Sequence, residues 1–321
     1  MKQMMKWAVL ALLLVCCVST LWGCGAEKKE PTPPVGTTDV PDLDHPDNDG
    51  TTQTVVVEES VVFNSGDLTL RFVKNAQDKW VWKEDVSFPL QQSYVTDILA
   101  AAQEILAATP LDAAAAAGDH GFDSSSEFLT VTNDKSGSTT FYFGNLAADG
   151  RYYVRYGTDI EKVYLAPAKL TELLKCTIYD MAILPELPQL ELKNLRSITV
   201  ADKSGKTVTV HADESGKWVN EAGTSVTMKI NAFSQVLPAL QIRSCADYNP
   251  SSGAAGICGL SPANLSVTID YVNSVGSNTT MKLAFGNAIG DQSFVLFNEG
   301  TTIYRMDTAV GTALSAFLTQ E

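Results

Sequence analysis

Two stretches of this chain carry the same landmarks in the same order, so it must fold as two like units or as an array of them. Lys79-Trp80-Val81 is answered by Lys217-Trp218-Val219. The same offset maps Val95, Ile98 and Leu99 onto Phe233, Val236 and Leu237, and Gly121-Phe122 onto Gly259-Leu260. Leu129 and Val131 fall on Val267 and Ile269. A short insertion then shifts the register. After it, Phe143-Gly144-Asn145 matches Phe285-Gly286-Asn287, and Val163-Tyr164 matches Ile303-Tyr304. The repeated unit is about 130 to 140 residues, a common size for one domain. The boundaries read from it are 54–184 for a first repeat and 185–321 for a second.

Each copy alternates between the two periods that distinguish strand from helix. The first opens with a hairpin, Leu68 to Val73 and Trp80-Val81-Trp82, around an Asn75–Asp78 turn. Val95, Ile98, Leu99, Ala102, Ile105 and Leu106 then recur at helical spacing. Strands are predicted at Phe128–Val131, Thr140–Phe143, Tyr152–Arg155 and Lys162–Leu165, closed by a short helix over Ala168–Lys175. The second copy reads as strands Ser197–Val200, Thr207–His211 and Trp218-Val219, a helix from about Asn231 to Ile242, and a last helix Val310–Leu318. Pro238 should kink or shorten the longer helix, because it removes a donor and clashes with the preceding turn. The fold class expected is α+β: two homologous repeats, each a mainly antiparallel sheet packed with one long and one short helix.

The order Trp, long apolar helix, Gly121-Phe122-Asp123 or Gly259-Leu260-Ser261-Pro262, strand, Phe-Gly-Asn, Tyr-Val and Val-Tyr resembles domain of unknown function 4340 over about residues 67–320. The resemblance implies an exported or membrane-tethered bacterial protein, with some relatives resembling companions of ABC-type transport systems. It implies no set of catalytic residues.

The N-terminus carries its own signal. Lys2 and Lys6 precede an apolar run from Trp7 to Val18, too short to span a bilayer as a helix. Leu21-Trp22-Gly23-Cys24 resembles the lipobox of bacterial lipoproteins, which implies a leader over 1–23, removed, and a lipidated Cys24. A plain secretory signal or an uncleaved anchor is the other reading of the run. Residues 24–53 hold Pro31, Pro33, Pro34, Pro41 and Pro46, many acids and few large apolar side chains, which reads as a mobile acidic tether. Its Asp42, Asp44, His45, Asp47, Asp49 and Gly50 do not fit a calcium loop, since His45 and Val56 would occupy the first and twelfth positions.

Signals for chemistry are sparse. With 23 basic and 37 acidic residues the net charge is -14, which excludes a phosphate backbone as an expected partner. His45, His120 and His211 are the histidines, and none has metal-ligand spacing to another, so no metal and no cofactor is expected. His120, between Asp119 and Asp123, is read as a turn residue, with a general-base role as the competing reading. Ser204-Gly205-Lys206-Thr207 mimics the end of a phosphate loop but lacks the earlier glycine, and reads as a hairpin turn. Cys245 and Cys258 are a candidate disulfide, with free thiols as the alternative and Cys176 left over. Trp80, Trp82, Tyr152, Tyr153 and Tyr156 are expected to fill the core and its edge rather than a ligand groove. No catalytic residue is assigned. The expectation is a membrane-anchored extracytoplasmic lipoprotein acting as a non-enzymatic binding or assembly module, with an envelope or transporter protein as partner. A solute-binding lipoprotein and a surface hydrolase are the alternatives.

Overall fold

Along Ser60–Asn64 (β1) and Thr69–Lys74 (β2), Val61, Phe63, Leu70 and Phe72 point one way and are fully buried, while Val62, Asn64, Thr69 and Arg71 take the other face. That alternation founds the first sheet. A computed structural model describes residues 59–319 except 67, 136 and 160. The leader, Cys24 and the tether therefore lie outside the described residues. Trp80–Trp82 (β3), Phe128–Asn133 (β4), Gly137–Leu146 (β5), Tyr152–Tyr156 (β6) and Tyr164–Leu165 (β7) complete a seven-stranded antiparallel sheet of order β3-β2-β1-β4-β5-β6-β7. The β2–β3 turn closes through Asn75, whose Oδ1 accepts from the amides of Gln77 and Lys79 at 3.0 Å each.

Gln92–Ala107 (α1) joins the same core through Val95, Ile98, Ala102 and Ile105, the predicted stripe. Burying each large side chain of that stripe contributes about 1.5–3 kcal/mol. No side chain caps its N-terminus. Gln92 instead reaches β3, accepting from the Trp80 amide and donating to the Trp80 carbonyl, both at 2.8 Å, which covers the sheet edge there. Ala113–Ala116 (α2) is a single turn, and Ala168–Leu174 (α3) adds Leu170, Leu173 and Leu174 to the core.

The second sheet follows the same plan. Leu195–Asp202 (β8), Thr207–Ala212 (β9), Trp218–Asn220 (β10), Ser244–Asp247 (β11), Leu265–Val272 (β12), Asn278–Ile289 (β13), Gln292–Phe297 (β14) and Ile303–Asp307 (β15) are antiparallel in the order β10-β9-β8-β12-β13-β14-β15-β11. Without β11, this is the strand order of the first sheet. The helix of this half runs over Thr227–Val236 (α4), earlier than expected, and passes into a 3-10 turn at Leu237–Ala239 where Pro238 withholds its donor. Ala254–Ile257 (α5) is one turn, and Thr308–Ser315 (α6) is capped by Asp307, whose carboxylate accepts from the Ala309 amide at 2.8 Å. The fold is thus α+β with two antiparallel sheets. No helix among the described residues is long and apolar enough to cross a membrane.

Two strands escaped the sequence reading, β1 and β11, and both matter. β1 is an interior strand of the first sheet, paired to β2 and β4. β11 is the edge of the second and carries Cys245 into the core of the first. Around it the halves meet. Phe88 is buried and packs edge-on against Trp82 at 5.7 Å and Tyr248 at 5.2 Å. Tyr248 donates its hydroxyl to the Ser87 carbonyl at 2.8 Å, and Tyr179 donates to Asp247 Oδ1 at 3.2 Å. The described residues all lie in one compact unit.

Candidate functional site

The shared Gly-x and Phe-Gly-Asn elements meet at one corner in each sheet. In the first, β5 breaks its register with β6 between Phe143 and Leu146, and the Asn145 amide turns out to donate to the His120 carbonyl at 2.6 Å. In the second, β13 breaks register with β14 between Phe285 and Ala288, and the Asn287 amide donates to the Cys258 carbonyl at 2.7 Å. A Cβ on Gly144 would overlap the His120 carbonyl oxygen, and one on Gly286 would overlap that of Cys258. Glycine is required here by contact rather than by conformation. Gly121 and Gly259 add the second requirement, with φ of +75° and +70°. The second corner also holds a cis Ser261–Pro262 bond and a side-chain relay, Asn264 Nδ2 to Asn287 Oδ1 and Asn287 Nδ2 to the Ile257 carbonyl, each 3.0 Å.

His120 is therefore part of a joint. It is 7% exposed, and its ring lies over Tyr153 with centroids 4.0 Å apart. Its Nε2 stands 3.0 Å from the Ala115 carbonyl, which can only accept, so Nε2 is the donor. Asp119 accepts from the Gly121 amide at 2.9 Å and shapes the turn, while Asp123 is exposed. The sequence placed these three residues together; the structure spends two of them on the backbone. Phe122 reaches the outward face of the first sheet, where the Arg155 guanidinium sits 4.1 Å over its ring. Of the aromatics assigned to the core, Trp80, Trp82, Tyr152 and Tyr156 belong to it, whereas Tyr153 serves His120.

The thiols are not poised for attack. Cys245 is buried, and desolvation, aided by the Asp247 carboxylate, pushes its pKa up to about 11. Burial also raises Cys176 and Cys258, with Asp180 and Asp247 respectively adding charge repulsion. The candidate pair Cys245 and Cys258 stands as two free thiols: β11 turns Cys245 into the first core, whereas Cys258 ends α5 at the second corner. Cys176 is free as well. Among the described residues, no three His, Cys, Asp or Glu side chains are grouped to hold a metal ion. Ser204-Gly205-Lys206-Thr207 is the β8–β9 turn, closed on Asp202 Oδ1 by the amides of Ser204 and Lys206 at 2.8 and 3.1 Å.

Phe88, Tyr179 and Tyr248, which join the halves, were not singled out by sequence. Their only signal is aromatic character outside the repeated landmarks.

A family model, Domain of unknown function (DUF4340), matches residues 80–257, more than half of the chain, in one stretch that runs from β3 in the first sheet to α5 in the second half. No curated protein and no solved structure matches. The chain belongs to the DUF4340 family.

Proposed function

We propose that this DUF4340 member is an extracytoplasmic lipoprotein, held to the membrane through acylated Cys24 and an acidic tether. Its two-sheet body then acts as a non-enzymatic binding or assembly module for an envelope protein, such as a component of an ABC-type transporter. The observation that carries the reading is the N-terminal order itself: Lys2 and Lys6, an apolar run, Leu21-Trp22-Gly23-Cys24, then proline and acid. The body supports it through what its polar groups do. His120 donates to a backbone carbonyl, Asp119 closes a turn, and the thiols stay protonated at neutral pH. We further propose that the two halves arose by duplication, on the shared strand order and the paired glycine corners.

The lipid claim is tested by feeding cells an alkyne-bearing fatty acid and comparing the native chain with Cys24→Ala. Label and membrane retention that both disappear in the variant support the anchor. An unlabelled native chain in the soluble fraction contradicts it.

A further inference from the structure

The two halves differ at one matched place, and the difference opens a groove. By sheet order and register, Ser293 on β14 occupies the position that Tyr152 takes on β6. Ala288 faces Ser293 as Leu146 faces Tyr152, and Gly311 is the fourth residue of α6 as Thr171 is the fourth of α3. In the first half the Tyr152 ring packs on Phe143 with centroids 5.5 Å apart, and Thr171 is buried on α3. In the second, the smaller residues leave a groove of about 350 Å³ above Leu265, Phe285 and Leu318. That volume lies at the low end of the range for ligand pockets.

Two polar groups equip it. Ser293 lines the groove at 8% exposure, and its hydroxyl has no hydrogen-bond partner among the described residues. Asp202 is the only ionisable residue in the lining. Its Oδ1 takes the three turn bonds from Ser204 and Lys206, which hold the carboxyl below its ordinary range and leave Oδ2 uncommitted. Two apolar side chains stand out at the adjoining corner, Ile257 at 82% and Ile289 at 56% exposure. The Asn264–Asn287 relay links that corner to the groove.

The geometry points to a docking site for a tyrosine side chain presented by a basic segment of a partner protein. The ring would lie on Phe285 as the ring of Tyr152 lies on Phe143, its hydroxyl reaching Ser293 and a neighbouring cation reaching Asp202. The basic character follows from charge: the one ionisable group in the groove lining is a carboxylate, with Lys206 acting on it from the turn outside the lining, on a chain of net charge -14. The site rests on the reading of the protein as a binding module and names the surface that module uses.

Titration of the tether-free body, residues 54–321, with a capped Arg-Tyr-Arg peptide followed by amide NMR shifts tests the site, after circular dichroism has established that this fragment folds as the full chain does. The expected result is saturable shifts at Gly286, Ser293 and Gly311, weakened at least about tenfold by Ser293→Tyr, which supplies the ring internally, and several-fold by Asp202→Asn. Should Ser293→Tyr misfold, Ala288→Leu restores the bulk of Leu146 at an exposed position and must also weaken binding. A capped Asp-Tyr-Asp peptide should bind more weakly than the basic one. Shifts that are absent, that fall elsewhere, or that persist in both filled variants overturn the site. Capture of a membrane partner in cells by the Ser293→Tyr lipoprotein would also overturn it while leaving the binding-module reading intact; capture by neither form would contradict that reading.

Discussion

The first sheet ends at β7, two residues long, and the second continues past β15 into β11. The segments that could supply an eighth strand are comparable in position but not in chemistry. Before β4, Thr109-Pro110-Leu111 reaches the edge of the first sheet with one amide, Leu111 to the Val163 carbonyl at 2.8 Å. Pro110 has no donor for the ladder. Before β12, Arg243 donates to Arg305 at 2.8 Å, and Ser244 to Asp247 extend that contact into a strand. One half therefore has a stub where the other has an edge strand, and that strand turns Cys245 and its neighbour Tyr248 into the other half's core. A shared plan makes two sheets; the departures from it make one body and one groove.

The seam is the first place to press. Phe88→Ala removes a buried ring shared by Trp82, Tyr179 and Tyr248, and should cost about 3–5 kcal/mol by denaturant unfolding. It should also split a single transition into two as the halves uncouple. A loss under about 1 kcal/mol would mean that the halves do not depend on this contact. Next come the corners. Gly144→Ala and Gly286→Ala should each cost about 2–3 kcal/mol, because the new methyl displaces the His120 or Cys258 carbonyl that the following asparagine amide needs. Equal losses would sharpen the likeness of the two corners, and a large loss in only one would break it. Tyr248→Phe removes only the hydroxyl bond to Ser87 and should cost about 1 kcal/mol.

Much of this was legible beforehand because local pattern and tertiary role agreed. The α1 stripe and the Asn75 turn each have a short-range cause that the sequence displays, whereas Phe-Gly-Asn was legible only as a repeated landmark, its corner depending on the distant His120 and Cys258 carbonyls. β1 was missed because Val62 faces outward between Val61 and Phe63, which blurs the alternation. β11 was missed because four residues with one buried side chain, Cys245, have no period to read. The start of α4 was placed late because Thr227 and Met228 are exposed, Lys229 is half-buried, and only Ile230 and Phe233 are buried. His120 looked like a turn residue and is one, but its burial under Tyr153 depends on a strand more than thirty residues away. The groove at Ser293 was invisible for a different reason. It consists of what the second half lacks relative to the first, and aligning Tyr152 with Ser293 requires the bulged register.

The smallest effect concerns Cys245. Its folded pKa is raised above the ordinary thiol value of 9.0 to about 11, so the neutral form is the one the fold favours. That contribution is fully present below pH 9 and is lost as pH rises toward 11. Stability of the wild-type chain should therefore fall across that window more than that of Cys245→Val, as read by thermal unfolding at each pH. Identical pH curves would remove Cys245 from the seam's energetics.

The central claim, that this is a membrane-anchored module working through a partner, is tested most directly by crosslinking intact cells. The native chain is isolated beside Cys24→Ala, and what accompanies each is identified by mass spectrometry. The account predicts reproducible recovery of an integral-membrane complex with the native chain and its loss with Cys24→Ala. Recovery of the native chain alone, monomeric and free of any partner, would contradict it.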